Sequence, residues 1–116
     1  MIVKYFDKYR IAIHSDSHIK EDEYGVRNYI MIECFEKGLP NPLAEIRFYD
    51  SVDFPMNSYL ADSERIILNF HFNRFNDVYS LIRHESPVTV SIDLQTLNGN
   101  VASQHEPVGK EDTEET

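Results

Sequence analysis

The chain has 116 residues, a formal net charge of −9, 41% hydrophobic residues and a single cysteine, Cys34. That length suits one hydrophobic core, a lone cysteine excludes an internal disulfide framework, and no apolar run approaches the roughly 18 residues that span a bilayer. The excess charge is concentrated: Glu106, Glu111, Asp112, Glu114 and Glu115 stand against Lys110 near the end, and Asp16, Glu21, Asp22 and Glu23 stand against Lys20 earlier.

From Ile2 to Ser15 the residues alternate. Val3, Tyr5, Tyr9, Ile11 and Ile13 share one parity, and Lys4, Lys8, Arg10 and His14 the other, which predicts a strand with one buried face. Phe6 and Asp7 interrupt the pattern, so this is one bent strand or two shorter ones. Asp16 to Glu23 reads as an acidic loop. Tyr24 to Phe35 is the next strand, with apolar residues on both faces: Val26, Ile30, Ile32 and Cys34 on one, Tyr29, Met31 and Phe35 on the other. Gly38, Pro40 and Pro42 end it. Leu43 to Tyr49 is a third strand, with Ala44, Ile46 and Phe48 alternating against Glu45, Arg47 and Tyr49.

Residues 50–64 are irregular and read as a long loop, a length often used for binding. Arg65 to Phe72 returns to period two, and then the period changes. Phe75, Val78, Tyr79 and Ile82 fall on one helical stripe, predicting an amphipathic helix over about residues 74–85. Asn73 is the expected N-cap, and Pro87 stops the helix. Val88 to Gln95 is the cleanest alternating run, and Asn98-Gly99 signals a tight type I′ hairpin into an edge strand, Asn100 to Gln104. Residues 1–106 form the expected domain, and 107–116 hold almost nothing to bury and are expected to be disordered.

The expectation is an α+β, mostly antiparallel domain of about six strands in the order β-β-β-β-α-β-β, closed as a barrel or sandwich with one helix packed on it. The strand Arg65 to Phe72, the helix with Asp77 and Leu81-Ile82-Arg83, then Pro87-Val88, and finally Glu106-Pro107-Val108-Gly109 give residues 66–109 a likeness. That half resembles small bacterial proteins of unknown function, and the resemblance implies no activity.

Charges in Met1 to Lys8 fall where a secretion signal needs an apolar stretch, so the cytoplasm is the expected compartment. An acidic chain without a basic stripe repels phosphate backbones and anionic membranes, which argues against nucleic-acid and membrane partners and is compatible with a basic protein partner.

Candidate chemistry is sparse. His14, Asp16 and His18 would point the same way if a strand ran through them, and two imidazoles with a carboxylate can hold zinc, but no fourth ligand or orienting partner is apparent. Glu21-Asp22-Glu23 lacks the alternate spacing and glycine of a calcium loop. Cys34 sits among apolar strand residues, where cysteine packs as a small hydrophobe. His71 with Asp93 is a conceivable acid–base pair, and Tyr29, Tyr49, Tyr59 and Tyr79 can line a pocket or a partner surface. None of these is assigned as a catalytic, cofactor or metal site, and no cofactor is implied.

The leading expectation is a non-catalytic interaction module, immunity- or inhibitor-like. The rival is a small-ligand-binding β barrel or minor enzyme with the 50–64 loop as a lid. Self-association through an exposed strand edge is a third possibility.

Overall fold

Alternating strands build two open sheets that face one another across a common core. The computed structural model describes residues 1–14 and 28–103. Its elements are β1 (Ile2–Phe6), β2 (Lys8–Ile13), β3 (Asn28–Phe35), β4 (Ala44–Tyr49), β5 (Ser58–Leu60), β6 (Arg65–His71), a 3₁₀ turn (Phe72–Arg74), α1 (Phe75–His84), β7 (Val88–Ile92) and β8 (Gly99–Ser103). The larger sheet runs β2-β3-β4-β6-β5, and the smaller runs β1-β7-β8.

The α+β class and the antiparallel bias hold, with one exception: β4 and β6 pair in parallel. The barrel does not. Both sheets stay open, so there is no barrel interior in which a ligand could be enclosed. Eight strands are described rather than about six. The first extra strand arises at Phe6-Asp7, where one alternating run divides between the sheets. Asp7 also flips the parity. In β1 the side of Ile2 and Phe6 turns inward and Val3 and Tyr5 are exposed, whereas β2 turns Ile11 inward. The second is β5, inside the segment expected to be irregular throughout, which pairs antiparallel with the edge of β6.

The core takes one face of the larger sheet, with Ile32, Cys34, Ala44, Ile46, Phe48, Ile66 and Leu68 fully buried. The smaller sheet adds Phe6, Val88, Val90 and Ile92, and α1 adds Val78 and Ile82. Phe75 meets the Phe48 ring edge-on at 5.2 Å, and Tyr79 meets Tyr9 at 6.3 Å, so the helical stripe docks on the sheet as its spacing requires.

Two local expectations are corrected. Arg74, not Asn73, precedes α1 and makes no side-chain cap. The nearby cap belongs to His71, whose Nδ1 accepts from the Asn73 N–H at 3.2 Å and so starts the 3₁₀ turn. The β7–β8 connection is not a two-residue turn at Asn98-Gly99. Ile92 pairs with Gly99, the loop spans residues 93–98, and the positive φ of 63° falls on Leu97. The Asp93 carboxylate holds this loop by accepting from the N–H groups of Gln95 and Thr96, bonds that lower its pKa. Gly99 serves close packing instead, because a Cβ there would overlap Leu68 Cδ2 of the other sheet.

The strand expected over Tyr24 to Phe35 is described only from Asn28 onward, and the tail 107–116 lies outside the described residues. No described helix is long and apolar enough to cross a membrane.

Candidate functional site

The outer face of the larger sheet carries the most organised set of ionisable side chains. Period two in β4 sends Ala44, Ile46 and Phe48 into the core and therefore sends Glu45, Arg47 and Tyr49 outward. Strand register then builds rows across this face. Arg10 of β2 lies opposite Glu33 of β3, which lies opposite Glu45 of β4, which lies opposite Ile67 of β6. Two carboxylates directly opposite one another repel, so Glu33 and Glu45 each need a cation.

Each has one. Arg10 donates to Glu33 Oε1 from Nε at 2.8 Å and Nη2 at 2.7 Å. Glu45 takes two guanidiniums. Arg47 donates to Oε1 from Nε at 3.1 Å and from Nη2 at 2.7 Å, while Arg65 Nη1 donates to Oε2. Burial opposes the charge on Arg47, but the hydrogen bond and charge of Glu45, with Tyr49 beside it, more than offset this and raise its pKa. Arg65 Nε is buried with no hydrogen-bond partner among the described residues.

The two signs sit at different depths. Side-chain exposure is 63% for Arg10, 32% for Arg47 and 24% for Arg65, against 16% for Glu33 and 8% for Glu45. The carboxylates are sunk and the guanidiniums stand over them. Exposed Lys8, on the same parity of β2 as Arg10, adds a fourth cation. A chain of net charge −9 thus presents a cationic band on this face.

A second polar group pins the segment after β4. Tyr49 is 1% exposed, its hydroxyl donates to Asn69 Oδ1 at 3.2 Å, and its ring stacks on Phe54 at 5.8 Å. Asn69 Nδ2 donates to Met56 O, and Asn69 N–H donates to Asn57 Oδ1 at 2.7 Å. Asn57 Nδ2 donates onward to Leu97 O in the β7–β8 loop. The segment expected to serve as a lid is therefore tied to β4, β6 and the smaller sheet.

Of the residues singled out from sequence, His14 follows β2 and is half-buried, whereas Asp16, His18 and Glu21-Asp22-Glu23 lie outside the described residues. Cys34 is buried, and burial, with the nearby Glu33 charge, pushes its thiol pKa up, which makes it a poor nucleophile. His71 and Asp93 bond to their own neighbours and not to each other. Tyr49 is in the outer-face network, Tyr79 packs between Tyr9 and Phe75, and Tyr59 packs against the core, so these three form no common pocket; the Tyr29 side chain is not among those described. Among the described residues no group of three or more His, Cys, Asp or Glu side chains converges to hold a metal.

Alternation within β4 marks Glu45 and Arg47 as an outward pair, a signal present in the sequence. Their convergence with Arg65, 20 residues from Glu45, depends on the parallel β4–β6 pairing. No family model, curated protein or solved structure matches this chain.

Proposed function

We propose that this chain is a non-catalytic protein-interaction module, of the immunity or inhibitor type, that covers an acidic surface of a partner with the outer face of its larger sheet. The observation that carries this reading is the layering of charge: the cations are the outermost groups and their carboxylates lie beneath them. A guanidinium fixed by a recessed carboxylate presents its remaining donors in one orientation, which suits carboxylates on a partner. The positions lie on strands rather than on loops, so little side-chain order remains to be imposed on binding.

The sign reverses what overall composition suggests. The net charge of −9 is compatible with a basic partner, yet the best-built charged face favours an acidic one. A long polyanion such as nucleic acid suits it less, because such a ligand would have to run past the acidic remainder. Rim cations on such a surface act mainly on the association rate and its salt dependence.

Affinity capture from the native host, with wild type and the Lys8→Glu/Arg10→Glu double variant as baits at low and high salt, tests this. Wild type should retain a stoichiometric partner at low salt and release it at high salt, and the variant should not retain it. Recovery of no stoichiometric partner, or equal recovery by both baits, overturns the reading.

A further inference from the structure

Asn98-Gly99 is the one place in the chain where glycine follows asparagine, and it leads into β8 without forming the turn that its sequence suits. The pair has a second chemistry. An asparagine amide is open to attack by the backbone nitrogen of the next residue, and glycine, lacking a Cβ, obstructs that attack least. Packing keeps this glycine in place, because a Cβ at residue 99 would overlap Leu68 Cδ2 and crowd Ser91 O.

The structure leaves both reacting groups unheld. Asn98 is exposed, and no described residue bonds to its side chain. Asp93 N–H donates to Asn98 O at 2.8 Å, and bonded and non-bonded pairs alternate along an antiparallel ladder. Ile92 with Gly99 is therefore a non-bonded pair, and the Gly99 N–H points away from β7. Only the Asn98 main chain is tied, through Asp93 and through its N–H to Thr96 Oγ1 at 3.2 Å, so ring closure awaits opening of the 93–98 loop. Asn57, followed by the small Ser58, is the contrast. Its Nδ2 donates to Leu97 O at 3.0 Å and its Oδ1 accepts from the Asn69 N–H at 2.7 Å.

We infer that Asn98 is a self-modification site, at which the Gly99 nitrogen closes on Asn98 Cγ and the residue becomes aspartate or isoaspartate. The new N–Cγ bond forms as the Cγ–Nδ2 bond breaks, and Nδ2 leaves as ammonia with the Gly99 proton. Water then opens the cyclic imide, at Cγ to give aspartate or at the main-chain carbonyl carbon to give isoaspartate. No oxidant or cofactor takes part. Either product adds a carboxylate across the loop from Asp93. Isoaspartate also lengthens the main chain directly ahead of Gly99, where Leu68 leaves little room. The pairing of β8 with β7 therefore loosens as the protein ages, whatever the cationic face binds.

The test is to age the full chain in mildly alkaline buffer, native and in urea, and to score its peptides by mass spectrometry and isoaspartate methyltransferase labelling. In the native chain, aspartate and isoaspartate should accumulate at Asn98, faster as pH rises because the attacking nitrogen must lose its proton. Folding should slow Asn57, relative to its rate in urea, at least about tenfold more than it slows Asn98, since two side-chain hydrogen bonds must break first. Asp93→Ala removes the acceptor for the Gln95 and Thr96 N–H groups and should speed the native reaction severalfold by freeing the loop. Aged wild type should unfold at a lower urea midpoint than fresh protein, and aged Asn98→Gln should not. An Asn98 that stays intact in the native chain, an Asn57 slowed by folding no more than Asn98, or isoaspartate that leaves the urea midpoint unchanged overturns the inference.

Discussion

The two faces of β4 do different work with the same six residues. Its even positions, Ala44, Ile46 and Phe48, are fully buried against the smaller sheet and α1. Its odd positions carry Glu45 and Arg47 in a charged layer and Tyr49 in an anchoring network. Apolar burial stabilises roughly in proportion to area and needs no exact partner, so the inner face tolerates repacking but not truncation. The outer face is governed by satisfaction instead: a sunken carboxylate is acceptable only while its guanidiniums stay. Apolar burial is thus concentrated on one face, and the opposite face is held by pairing of its polar groups.

Substitutions can break or sharpen this contrast. Phe48→Ala removes a ring fully buried against Phe70 and Phe75 and should cost about 3–5 kcal/mol, read as a lower urea midpoint. Glu45→Ala is the severe case on the outer face. It leaves Arg47 and Arg65 without their shared acceptor and should cost about 2 kcal/mol in the same assay.

Cys34 supplies a pH test of the inner face. Its folded pKa is raised above the unfolded value of about 8.5, so its contribution is present below that pH and is lost as pH rises above it. Unfolding free energy should fall by on the order of 1 kcal/mol per pH unit in that range, and Cys34→Ala should flatten the slope. Arg10→Ala should be the mildest, about 1 kcal/mol, because Arg10 is itself 63% exposed although its loss leaves Glu33 opposite Glu45 without its cation.

Much of the inner face is legible in the sequence. Ala44-Ile46-Phe48, Ile66-Leu68-Phe70 and Val88-Val90-Ile92 announce themselves by period two, and Phe75-Val78-Tyr79-Ile82 by the helical period. The break at Phe6-Asp7 is visible too, but its consequence is not, since which sheet each half joins is decided by pairing with β7 and β3. Ser58–Leu60 is too short to show a period, and it becomes a strand because β6 offers it an edge. The Asn98-Gly99 signal is overridden by packing: Gly99 is needed where Leu68 approaches, and Asp93 organises a longer loop. The cationic face is only half legible. Alternation places Glu45 and Arg47 together, but Arg10, Glu33 and Arg65 join them only through register, which no local pattern specifies.

The division of labour between the faces is tested most directly by photo-cross-linking in the native host, with a benzophenone amino acid at Ala12, on the outer face, or at Ser80, exposed on α1. A discrete adduct with an acidic protein from position 12, absent from position 80 and lost in the Lys8→Glu/Arg10→Glu background, is the result expected. Adducts from position 80 alone, or an adduct at 12 that survives charge reversal, would contradict the account.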